Sequence, residues 1–153
     1  MIALIQRVSK ASVFISNKEI SHIDNGLLIL LGIKKTDSRQ DIDYIVTKIR
    51  SLRIFAKDDE YFSQSIKDQN AQVLVVSQFT LYADLKKGSR PSFTQAMRSK
   101  DAKGVYEDFV SKLKAEGLRV ETGEFGALMQ VKLVNDGPVT FTLTSDHLKV
   151  KND

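Results

Sequence analysis

Residues 71–84, AQVLVVSQFTLYAD, set the terms for the rest of the chain. The stretch begins with four consecutive apolar residues, Val73-Leu74-Val75-Val76, which read as a strand buried on both faces. The run stops at Ser77-Gln78-Phe79-Thr80, where three of the four side chains carry a hydrogen-bonding group. Apolar character resumes at Leu81 and Tyr82, as though the strand continued. A buried strand that delivers Ser, Gln and Thr to one place is either a satisfied polar network in the core or the floor of a site.

Working outward, residues 26–32, GLLILLG, form a second apolar run without alternation. Seven residues between two glycines is strand length rather than helix length, so this too reads as a strand covered on both faces. Residues 1–8 and 11–16 read as strands separated at Ser9-Lys10, with turns at Asn17-Lys18 and Asp24-Asn25-Gly26. The spacing of Ile42, Ile45, Val46 and Ile49 predicts a helix over 36–50, with Ser38 and Asp41 placed as a capping box. Ala102, Val105, Tyr106, Phe109 and Leu113 predict a second helix over 101–116, stopped by Gly117. Residues 52–55, 118–121, 127–134 and 140–145 complete a count of about eight strands. Two helices are too few for a doubly wound sheet. The expected fold is therefore α+β: a curved, largely antiparallel sheet or small barrel with two packed helices, in one domain over 1–153.

Bulk properties narrow the class. With 153 residues, 42% hydrophobic and 27% charged, the chain has the composition of a globular domain. It contains no cysteine, which removes disulfides and thiolate chemistry. No apolar run approaches the ~20 residues of a membrane helix, and no charged region precedes the apolar start as in a secretory signal. A net charge of +4 leans toward a polyanionic partner. Only two histidines are present, His22 and His147, and neither placement suggests a catalytic triad. No metal-ligand spacing or phosphate-cradling glycine loop occurs, so no metal or cofactor is expected.

A second polar stretch adds to the first. Residues 129–145, MQVKLVNDGPVTFTLTS, read as a strand, a turn and a strand, because Asn-Asp-Gly is hairpin chemistry. Proline directly after that glycine is unusual in a plain hairpin. SQFTL at 77–81 together with NDGPVT at 135–140 resembles the signature pair of the D-aminoacyl-tRNA deacylases. The likeness continues through MIALIQRVSKASV, GLLILLGI, LRIF, KGSRPSF and VETGEFGALMQVKLVNDGPVT. One departure, Phe62-Ser63-Gln64 where a Met-Asn pair is commoner, falls on a surface hairpin or loop.

That resemblance implies hydrolysis of the ester that joins a D-amino acid, or mischarged glycine, to the terminal adenosine of tRNA. It implies a site floored by Ser77, Gln78, Phe79 and Thr80, with backbone N–H groups near Phe79 and Thr80 as oxyanion donors. The RNA's own 2′-hydroxyl assists, and Thr80 is expected as a positioning residue ahead of a nucleophile. It further implies a cis Gly137-Pro138 bond that reaches into a partner subunit's pocket and excludes L-amino acids, hence a homodimer, and a cytoplasmic location. Phe125 and Met129 are candidates for the adenosine pocket or for plain core. Lys86, Lys87 and Arg90 are candidates for tRNA phosphate contacts or a solvated loop. Two other readings remain: a non-catalytic binder of RNA 3′ ends, and a scaffold whose Thr-rich strands form an interface.

Overall fold

The computed structural model describes residues 1–148. Two strands without a polar face organise it. β3 (Gly26–Gly32) and β6 (Gln72–Ser77) lie parallel, in register from Gly26 opposite Gln72 to Leu31 opposite Ser77. Their alternate residues supply two cores. Leu27, Ile29, Leu31, Val73 and Val75 enter the larger one, while Leu28, Leu74 and Val76 enter a smaller one on the opposite face. Burial on both sides is what removes alternation from these runs. Gly26 is required by the pairing, since a Cβ there would stand 2.0 Å from the Gln72 carbonyl oxygen. Gly26→Ala should destabilise the protein by about 3 kcal/mol, the upper end for overpacking, because a backbone carbonyl inside a ladder cannot swing aside. Chemical denaturation measures this, and a loss below about 1 kcal/mol would mean that the strand spacing relaxes freely.

β1 (Ile2–Ile15) lies antiparallel beside β3, β2 (Lys18–Ile23) takes the remainder of the same β1 edge, and β7 (Arg119–Thr122) adds in parallel to β6. The order is β2-β1-β3-β6-β7, and β2 comes close to β6 and β7, so the mixed sheet is nearly closed into a barrel. β4 (Arg53–Lys57) and β5 (Glu60–Ser65) form a separate hairpin. Helices α1 (Arg39–Ser51) and α2 (Ser99–Ala115) cover the larger core. The α+β class and the curved, largely antiparallel sheet are as the sequence leads one to expect; the parallel trio β3-β6-β7 is its exception.

Both helices begin and end for local reasons. Ser38 donates from its N–H and its Oγ to Asp41 Oδ2, at 2.8 and 3.0 Å, which starts α1 three residues later than the apolar spacing suggests. α2 ends where Gly117 takes φ +82°. There the Gly117 and Leu118 N–H groups return to the Lys114 and Leu113 carbonyls at 2.9 and 3.3 Å. Within α2, the Tyr106 hydroxyl donates to the Val75 carbonyl at 2.8 Å. The same carbonyl also accepts from the Gly123 N–H at 3.0 Å, so Tyr106→Phe removes one of two bonds and should cost about 0.5–1.5 kcal/mol in a denaturation experiment. A neutral result would mean that the Gly123 N–H satisfies the carbonyl by itself.

Three sequence expectations fail, each for a physical reason. β1 has no break at Ser9-Lys10. Val8 faces Asn135 and Lys10 faces Val134, so Ser9 is one extra residue in a continuous strand. That bulge changes the inward face: Ala3 and Ile5 enter the larger core, Ala11 and Val13 the smaller. Nor is Asn135-Asp136-Gly137 a hairpin. β8 (Gln130–Thr144) is one long strand antiparallel to β1, with Gln6 facing Thr140 and Val8 facing Asn135. Residues 136–139 therefore stand opposite Arg7 alone and form a large bulge, from which Val139 turns back into the larger core. Finally, the chain does not resume as a strand at Leu81. It closes a 3₁₀ turn, Phe79–Tyr82, packed on Gly32, where a Cβ would lie 3.0 Å from Leu81 Cβ.

Candidate functional site

β6 ends at Ser77. The Gln78 N–H makes a last bond to the Leu31 carbonyl (2.8 Å), and the Leu81 N–H then returns to the Gln78 carbonyl at 3.2 Å. The chain thus leaves the sheet at the mouth of a cleft of about 510 Å³. Ser77, Gln78 and Phe79 line it from this side and Phe93, Met97 and Phe125 from the others. Phe79 is 57% exposed, and its ring stands edge-on to Phe93 with centroids 5.0 Å apart. Phe125 packs at 5.4 Å on Tyr106. Aromatic rings left open in a cleft suit a flat ligand better than they suit solvent.

Thr80 is exposed on the same turn, and its hydroxyl accepts from the Gln78 side-chain amide. The N–H groups of Phe79 and Thr80 are the first two of the 3₁₀ turn, positions with no acceptor inside the turn. A side-chain base is harder to find. His22 pairs with Glu19 at 3.1 Å on an exposed part of β2, and His147 packs edge-on to Tyr44 at 4.6 Å. Burial pushes the Tyr82 phenol far up, and Asp37, Asp146 and Asp41 push it further. Burial alone does the same to Tyr106. Both phenols stay protonated at neutral pH and cannot act as bases. Among the described residues, no three His, Cys, Asp or Glu side chains gather as a metal site requires.

After the turn, Asp84 and Ser92 exchange backbone hydrogen bonds of 2.7 and 3.0 Å, closing a loop beside the Phe79–Phe93 pair. Lys86, Lys87 and Arg90 are exposed on that loop. Two cations that the sequence reading passed over, Lys35 and Arg98, line the cleft itself. Their neighbourhood comes from an isolated bridge between Lys34 and Ala96, which leaves no periodic trace in the sequence. Met129 goes the other way. It packs with Val131 against the smaller core and does not line the cleft, the second of its two readings.

The Gly137-Pro138 bond is cis. Its bulge is held by Arg7, a side chain 95% buried, which pairs through Nε with Asp136 at 2.8 Å. Arg7 also donates to the Ile54 carbonyl at 2.6 Å and to the Tyr61 hydroxyl at 3.3 Å. Tyr61 in turn donates to the Gly137 carbonyl at 3.2 Å. Asn135 Nδ2 ties the neck, donating to the Arg7 and Val139 carbonyls at 2.9 and 3.2 Å. Neither Gly137 nor Pro138 lines the cleft of its own chain. Two strands, β1 and β3, separate β8 from β6, a lateral distance of roughly 15 Å at ordinary strand spacing. Beside the bulge, Leu133, Val134, Phe141 and Phe62 are exposed, and among the described residues β8 pairs only with β1.

The family model described as D-Tyr-tRNA(Tyr) deacylase matches residues 4–144. A D-aminoacyl-tRNA deacylase of Thermosipho africanus (strain TCF52B) is 51% identical over 145 residues, 95% of this chain and 97% of its own. One from Finegoldia magna is 50% identical over 142 residues, covering 93% and 96%. Among solved structures, a c-Myc DNA unwinding element binding protein superposes with a TM-score of 0.89 at 40% identity, covering 95% of this chain and 99% of that one. A probable eukaryotic D-amino acid tRNA deacylase, at 15% identity and a TM-score of 0.82, covers 93% and 97% and shares the fold.

Proposed function

The chain belongs to the D-aminoacyl-tRNA deacylase family of hydrolases, and from that premise we propose that it cleaves the ester between a D-amino acid, or glycine, and the terminal adenosine of tRNA. Water adds to the ester carbonyl, the bond to the ribose oxygen breaks, and that oxygen leaves as a hydroxyl. An aminoacyl ester is already activated, so positioning and oxyanion stabilisation supply most of the acceleration. The N–H groups of Phe79 and Thr80 hold the developing oxyanion, Ser77, Gln78 and Thr80 orient the ester, and the RNA 2′-hydroxyl assists proton transfer. Phe79 and Phe125 flank the adenosine, while Lys86, Lys87 and Arg90 meet phosphates further along the tRNA.

The observation that carries this reading is the SQFTL turn, which opens onto an aromatic cleft with an unclaimed pair of N–H donors and, among the described residues, no side-chain base. Chirality is selected by Gly137 and Pro138 of a second subunit, whose carbonyls hold the substrate's amino group and occupy the space of an L side chain. The exposed apolar band beside the bulge suits such a twofold contact. The enzyme works in the cytoplasm, as a proofreader of charged tRNA. Deacylation of matched D- and L-aminoacyl-tRNA tests the reading: the D form is hydrolysed and the L form spared. Binding without turnover would instead make the chain an RNA 3′-end binder, and neither binding nor turnover would leave a scaffold.

A further inference from the structure

We propose that Lys35 and Arg98 seat the phosphodiester on the 5′ side of the terminal adenosine, an inference that rests on the deacylase reading above. Charge balance points there. Two cationic side chains line the cleft and, among the described residues, none that lines it is acidic. The group being cleaved carries no anion. Adenosine and the ester are neutral, and the free amino group of the amino acid is a cation that two further cations would repel. A cleft built this way makes sense only if the substrate brings its own negative charge. The one such group attached to the adenosine is its 5′ phosphodiester, one nucleoside length from the ester.

Both cations are fixed at the backbone, as a phosphate seat requires. The Lys35 N–H donates to the Gln95 carbonyl at 3.1 Å, and the Met97 N–H to the Ile33 carbonyl at 2.9 Å, which locks the two segments together. Arg98 immediately precedes α2, and its carbonyl accepts from the Asp101 and Ala102 N–H groups at 3.0 and 2.9 Å. The positive end of α2 therefore adds to the same corner, with Ser99 and Ala102 also lining the cleft. The aromatic pair Phe79 and Phe93 lines the same cleft. Base and phosphate thus have separate receptors, one apolar and one cationic.

The test compares two small substrates, 3′-O-(D-aminoacyl)-adenosine with and without a 5′-phosphate, alongside D-aminoacyl-tRNA. Lys35→Ala and Arg98→Ala should each lower kcat/KM about tenfold or more on the phosphorylated substrate and on tRNA, the loss of one charge-assisted contact. On the substrate that lacks phosphate the loss should be smaller by that same factor, so that the variants differ between the two small substrates. Arg98→Lys, which keeps the charge, should recover part of the loss, and the salt slope of tRNA binding should fall by about 0.7 per contact removed. Equal losses on both small substrates, or none on either, would overturn the proposal. Arg98→Gln, with its fold checked by circular dichroism, takes the place of an alanine variant that fails to fold, with the same expected losses. A wild-type enzyme inactive on every substrate is a different result, and it would remove the deacylase reading itself.

Discussion

Mixing two impaired variants should restore D-specific hydrolysis. One chain carries Phe79→Ala and Thr80→Ala, which impairs the turn at the mouth of its cleft. The other carries Gly137→Val and Pro138→Ala, which spoils the bulge. A Cβ at Gly137 would already stand 2.9 Å from the Asn135 amide oxygen, and the Asn135 side chain ties the neck of that bulge. Within one chain the two regions are apart, since neither Gly137 nor Pro138 lines the cleft. If the bulge serves the partner's cleft, each mixed dimer has one complete site, built from the intact floor of one chain and the intact bulge of the other. Random exchange makes half of the dimers mixed, so recovery should approach roughly a quarter of the wild-type sites. Each homodimer alone remains impaired, so the recovery on mixing is read as a rise above both parental rates. No recovery, with subunit exchange demonstrated by mass spectrometry, would mean that each chain completes its own site.

Thr80→Ala is expected to slow deacylation without abolishing it. Thr80 lies next to a glutamine amide, and neither histidine nor a buried tyrosine is placed to take its proton. A covalent role would need such a base. As a positioning residue in an oxyanion site its loss should raise the barrier by about 2.7–4 kcal/mol, roughly a hundredfold to a thousandfold in kcat. The backbone donors of the turn remain and keep the residual rate above that of the uncatalysed ester. An alanine variant at the background rate, together with an acyl group trapped on Thr80 of the wild type, would show nucleophilic catalysis instead.

The parts of the molecule legible in the sequence are those in which one local constraint dominates. Residues 26–32 and 73–76 are apolar on every position because both of their faces are buried, and only a central strand is built that way. The helices are announced by the spacing of Ile42 to Ile49 and Ala102 to Leu113. The bulge at 136–139 is not. Asn, Asp and Gly tolerate the same backbone angles in a hairpin as in a bulge, and the choice is made by β1, far away in the sequence. The turn at Phe79 is hidden for a related reason, because four residues cannot distinguish a 3₁₀ turn from a strand by periodicity. Lys35 and Arg98 enter the cleft through a single bridge between distant segments, so no pattern near either residue marks it.

The pairing of β1 with β8 also has a consequence for how the protein is made. β1 holds β3 and β2 on one edge and β8 on the other, so its second edge stays open until β8 exists. About 115 residues separate the end of β1 from the start of β8, an interval on the order of ten seconds on a ribosome. During that interval the nascent sheet presents unpaired backbone along a mostly apolar strand, a template for pairing with other chains. Contacts this distant along the chain also form slowly, since the intervening loop must be ordered first. Completion of the sheet therefore waits on late translation, because β8 is supplied only after the strand it pairs with.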